Sequence, residues 1–97
     1  MLTREDILKF LRDNKERFAE QYGVTKLGLF GSFARNTATE KSDVDVCVEL
    51  DKVTYDIMFD LREEIVEQTS RSVDLVQVRT GMNDLLKKRI DKEAVYV

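Results

Sequence analysis

Asp43 and Asp45 stand one residue apart in the segment SDVDVCVEL. Side chains alternate along a strand, so both carboxylates project from one face, their α-carbons about 6.5–7 Å apart, and can converge on one cation. A third acid, Asp74, interrupts the apolar run SVDLVQV. Buried there without a partner, a carboxylate would be strongly disfavoured or take up a proton, and a neighbouring cation would remove the conflict. If the two strands are adjacent, Asp74 joins Asp43 and Asp45 in an acidic cluster that repels itself unless a divalent ion lies between its members. Oxygen-only ligands suit magnesium or manganese. The plainer alternatives are an amphipathic strand with solvated acids and, for Asp74, a strand-end acid reaching water.

Upstream of the acids comes Gly31-Ser32, after one strand-like run and before a short helix. Glycine lets backbone approach a ligand, free amides at a helix start favour an anion such as phosphate, and the Ser32 hydroxyl can add a donor. A Gly-Ser pair is also an ordinary strand end, and it gains meaning here from preceding the two aspartates. Other phosphate and metal motifs fit poorly. No Gly-Lys-Ser/Thr loop is present, Gly28 with Gly31 does not make a three-glycine dinucleotide fingerprint, and a calcium loop begun at Asp43 would need glycine where Val48 stands.

The elements that must hold these groups follow from periodicity. Thr3 with Asp6 forms an N-cap pattern, and Ile7, Leu8, Leu11, Phe18 and Tyr22 recur at helical spacing before Gly23, which predicts a helix over 4–22. Strands are predicted over 26–30, 43–50 and 72–78, the second with Val44, Val46, Val48 and Leu50 as a wholly aliphatic face. Residues 32–36 read as a turn opening a short helix, and 36–42 as loop. Helices over 55–69 and 83–92 and a terminal strand over 94–97 complete the chain. Helices alternating with strands imply an α/β domain, one sheet flanked by helices and three strands wide or slightly more.

The 97 residues suit a single domain, 1–97. With 42% apolar and 36% charged residues and no proline, the composition is that of a compact fold. No stretch reaches the roughly 20 apolar residues of a membrane span, and acids stand in MLTREDILKF where a secretory signal would be apolar, so a cytoplasmic protein without membrane contact is expected. Cys47 is the only cysteine and histidine is absent, which excludes an internal disulfide, the usual zinc sites and imidazole triads. A net charge of −3 argues against direct nucleic-acid binding through phosphate neutralisation. Lys87, Lys88, Arg89 and Lys92 crowd the last helix, either as a solvated face or as a docking patch for an acidic partner.

Taken together, GSFARN, SDVDV and SVDLV resemble the signature of the DNA polymerase beta-like nucleotidyltransferases, and most closely the minimal nucleotidyltransferases (MNT), antitoxins paired with HEPN-domain toxins. The resemblance covers nearly the whole chain and implies the polymerase beta-like palm fold, a small mixed β-sheet flanked by helices. It implies magnesium-dependent transfer of AMP from ATP to a hydroxyl, with a tyrosine of the partner HEPN toxin as acceptor. Asp43, Asp45 and Asp74 would be the catalytic and metal-binding residues for two Mg2+ ions, Asp74 also helping to deprotonate the acceptor. Gly31 and Ser32 would bind the β and γ phosphates, and Arg35 would face phosphate or pair with an acid. Relatives often have glycine after this arginine; Asn36 tolerates a left-handed backbone, so the turn is expected to survive. The chain has no room for an acceptor-binding domain, which implies a hetero-oligomer with the toxin or a homodimer. Two other functions stay open: an antitoxin that neutralises by binding alone, and the catalytic subunit of a two-part small-molecule nucleotidyltransferase.

Overall fold

The computed structural model describes residues 2–97. Helix α1, Arg4–Tyr22, starts in a reciprocal cap: the Asp6 amide donates to Thr3 Oγ1 at 3.1 Å and the Thr3 amide to Asp6 Oδ2 at 3.0 Å. It ends at Gly23, whose φ of 75° is the left-handed geometry that glycine supplies at least cost. Strand β1, Val24–Phe30, runs directly into α2, a single turn over Gly31–Ala34. Strand β2 covers Val44–Leu50, α3 Tyr55–Thr69, β3 Val73–Gln77, α4 Asp84–Glu93 and β4 Val95–Tyr96. Each expected element is present, with ends displaced by no more than two residues.

The sheet has four strands in the order β3-β2-β1-β4. Strands β1 and β2 pair antiparallel, β4 adds antiparallel to the outer edge of β1, and β3 lies parallel to β2 with α3 as the crossover. The expected mixed sheet is therefore observed, the short C-terminal strand providing its fourth member.

One face of the sheet carries Leu27, Leu29, Val44, Val46, Val48 and Val73, all buried against Ile7, Leu11 and Phe18 of α1 and Leu61 and Ile65 of α3. Arg17 of α1 pairs with Glu64 of α3, which also accepts from the Tyr22 hydroxyl at 3.0 Å, so the two helices are tied at their rim. The opposite face is not simply solvated, as alternation along β2 alone would suggest. Phe30 and Cys47 are buried there beneath Met82 and Ile90, because α4 folds across the middle of this face. Burial pushes the Cys47 thiol up to about 11, which makes it a packing residue rather than a nucleophile.

Candidate functional site

The acids meet where β2 leaves the α2 loop. Register places Asp45 opposite Phe30 on one side and opposite Asp74 on the other, so strand pairing sets Asp45 and Asp74 side by side on the sheet face that α4 only partly covers. Asp43 lies just before the strand. Desolvation and the charges of Asp74 and Asp43 push the Asp45 carboxyl above the usual carboxylate range, opposed by Arg89 and Arg35. Asp45 thus feels both of the other acids.

Of the two readings of Asp74, the acid reaching water is the one observed: it is exposed, because β3 is an edge strand and only its aliphatic face packs on the core. Register nevertheless sets it beside Asp45. The acids are not drawn into a finished ligand shell: among the described residues, no three His, Cys, Asp or Glu side chains stand close enough to hold a metal ion as they are. The donor chemistry nevertheless fits a hard divalent cation, since the ligands are all carboxylate oxygens and a positive charge would reverse the penalty on ionised Asp45.

Gly31 makes the closest approach to this cluster. Its φ is 75°, and a Cβ there would meet the Asp45 carboxylate carbon at 2.8 Å, so both conformation and space require glycine. The α2 turn is pinned by Phe33, buried in the main core, and by Arg4, which donates from Nε to the Ala34 carbonyl at 3.1 Å. Asn36 closes the turn at φ 63°, the left-handed geometry expected of it. The Ser32 carbonyl accepts from the Thr37 amide at 2.9 Å, and the side chain is half-buried.

The Gly31 amide does not point into open solvent. It donates to Glu93 Oε2 at 3.1 Å, while Arg35 Nη1 donates to Glu93 Oε1 at 2.9 Å. Of the two readings of Arg35, the ion pair is the one observed. Glu93 was missed by sequence reasoning, although an acid in the last turn of a helix, at the negative end of its dipole, is a signal of a compensating partner elsewhere. Arg89 and Arg71 were missed as contributors to the site as well. Arg89 lies over the Phe30 ring at 5.6 Å and lowers the cost of ionising Asp45. Arg71 donates from Nη2 to the carbonyls of Thr39 and Ser42 at 2.7 and 2.8 Å, and lies over Phe33 at 5.3 Å, which fixes the loop that delivers Asp43. The basic cluster on α4 is split: Lys87 pairs with Asp91 at 2.9 Å, and Arg89 turns toward the acids.

Asp43, Asp74 and Arg35 are all exposed, so the cluster is an open surface rather than an enclosed cavity. A concavity lined by Tyr55, Met58, Phe59, Arg62 and Leu75 lies along the β3 edge, and another, lined by residues that include Lys26 and Tyr96, at the β4 edge; neither includes the acids. No helix among the described residues is long and apolar enough to cross a membrane.

Comparison with known proteins bears on this arrangement. Residues 7–97 match the family model described as a nucleotidyltransferase domain. A chain of Methanocaldococcus jannaschii, provisionally named a protein adenylyltransferase, is 37% identical over 98 residues that span the whole of both chains. Protein adenylyltransferase MntA of Thermococcus cleftensis is 36% identical, covering 100% of this chain and 98% of that one. Among solved structures, a toxin-antitoxin crystallised with AMP-PNP superposes with a TM-score of 0.71 at 24% identity, over 98% of this chain and 72% of the other, a likeness of fold.

Proposed function

Since the chain belongs to the nucleotidyltransferase domain family, we propose that it is a magnesium-dependent protein adenylyltransferase that moves AMP from ATP to a tyrosine of a HEPN-domain toxin and so acts as an antitoxin. The observation that carries this reading is the register of Asp45 with Asp74 beside Gly31, in a chain whose full-length relatives are named protein adenylyltransferases. A fold neighbour described as a tri-AMPylated Shewanella oneidensis HEPN toxin in complex with its MNT antitoxin supports the choice of partner; it superposes at a TM-score of 0.62 and 21% identity, over 96% of this chain and 66% of that one.

Asp43, Asp45 and Asp74 would hold the magnesium ions, two in the full reading, and the metal would neutralise charge on the triphosphate during in-line displacement. The chain's own groups do the rest. The Gly31 amide and Ser32 hydroxyl bind phosphate oxygens, and Arg35 and Arg89 offset their charge. Asp74, exposed at the edge strand, would accept the proton of an incoming hydroxyl. The openness of the acidic face suits an acceptor carried on another protein, which must approach without entering a cleft.

Incubation of the chain with Mg-ATP and its cognate HEPN-domain protein is expected to raise the partner's intact mass by whole AMP increments, and Asp45→Asn is expected to abolish the increase. An unmodified partner in a complex that demonstrably forms would reject the transfer. Neutralisation by binding alone is the second reading. It is favoured by the exposed aromatic pair Tyr55 and Phe59, whose rings stack at 6.5 Å beside the β3-edge concavity. Toxin neutralisation that survives Asp45→Asn would select it.

A further inference from the structure

Glu93 ends α4, where the helix dipole disfavours an added negative charge. Its side chain is nonetheless only 15% exposed, and the carboxylate divides its two oxygens between donors from another part of the chain, the Gly31 amide and the Arg35 guanidinium. A backbone amide and a guanidinium are the donor pair that a phosphate group takes, and a carboxylate with one oxygen on each has the same hydrogen-bonding pattern as two phosphate oxygens. The Gly31 amide has one hydrogen, and Glu93 Oε2 accepts it at 3.1 Å. A nucleotide phosphate seated on this amide must therefore remove Glu93.

We infer that Glu93 is a built-in competitor for the nucleotide: its carboxylate fills the phosphate position on Gly31 and Arg35, and ATP enters by displacing it. The inference rests on the nucleotidyltransferase reading and adds to it a residue that sets nucleotide affinity. Displacement is feasible because one of the two donors faces solvent. Arg35 is 45% exposed, so its ion pair is screened by solvent, and a polyphosphate brings more charge to the same donors. The released carboxylate keeps a cation within reach, since Arg89 lies four residues earlier on the same helix. The backbone beyond Glu93 is anchored: Ala94 donates to the Ile90 carbonyl and Val97 to the Leu27 carbonyl, each at 2.9 Å, so a side-chain rotation suffices. While Glu93 stays in place, four acids, Asp43, Asp45, Asp74 and Glu93, face two arginines, a balance that welcomes a divalent cation and resists an anion.

The test is calorimetric titration of the full chain and of Glu93→Gln and Glu93→Ala with Mg-AMP-PNP, and separately with inorganic tripolyphosphate. Both variants are expected to bind each ligand about five- to tenfold more tightly than the parent chain, with the larger gain for alanine. A parent chain that binds while the variants bind equally or more weakly overturns the competitor role and leaves the nucleotide site standing. Absence of binding in all three overturns the nucleotide site itself. Should circular dichroism show either variant unfolded, Glu93→Asp, which keeps the charge but shortens its reach, takes its place: tighter binding supports the inference and unchanged or weaker binding overturns it.

Discussion

The two faces of the single sheet are built on opposite principles. Toward α1 and α3, Leu27, Leu29, Val44, Val46 and Val48 are wholly removed from water, and no charged residue is buried among the described residues. Toward α4, Phe30, Cys47, Met82 and Ile90 form a small sealed cluster, and the same strands then open onto Asp45 and Asp74. Since β2 contributes alternate residues to both faces, the close packing of Val44 and Val46 holds Asp45 in place from behind. The stable face supplies the rigidity, and the acidic face spends some of it on charges that dislike one another. Substitutions on the two faces should therefore separate activity from stability.

The largest effect is expected from Asp45→Asn, which should lower AMP transfer by about 10²–10³-fold, the scale of losing one charge-stabilising group at a reacting centre, in a protein that still folds. Ile65→Ala, on the sealed side, is expected to do the reverse, costing about 2–5 kcal/mol in urea unfolding while transfer per folded molecule is kept. Gly31→Ala lies between the two: left-handed strain and the clash with Asp45 should cost about 1–3 kcal/mol and reduce transfer as well. The smallest effect concerns pH. Burial and neighbouring acids raise the folded-state pKa of Asp45, so this group favours the folded state fully below the unfolded carboxylate pKa and loses that contribution as pH rises through the folded value. Without metal, Asp45→Asn should thus melt higher than the parent chain at pH 7, with the gap narrowing as pH falls through the raised folded value and closing in the ordinary aspartate range. A gap that widens in acid would contradict the sign of the shift.

The elements were legible because they rest on local signals. The α1 cap, the aliphatic alternation of β2 and the stripe through Leu61 and Ile65 each need only a few neighbouring residues. The acids and the Gly31 turn were legible for the same reason, as types at short spacing. What pattern could not supply was pairing between distant segments. The placement of β3 beside β2 decides that Asp74 faces Asp45, and the edge position of β3 decides that Asp74 is exposed. Glu93 reaches Gly31 across 62 positions, and Arg71 reaches Thr39 across 32, so neither contact has a local signature. The burial of Cys47 likewise depends on the distant Met82 and Ile90, which pack over it.

Manganese offers the most direct test, because it can stand in for magnesium and broadens nuclear magnetic resonance signals near where it binds. In nitrogen-15-labelled chain with AMP-PNP, substoichiometric Mn2+ is expected to broaden the amides of Gly31, Asp45 and Asp74 first, leaving those of Leu27 and Val48 sharp, and Asp45→Asn should remove the pattern. Broadening centred on another part of the surface, or persisting unchanged in Asp45→Asn, would contradict a metal-dependent site on the acidic face.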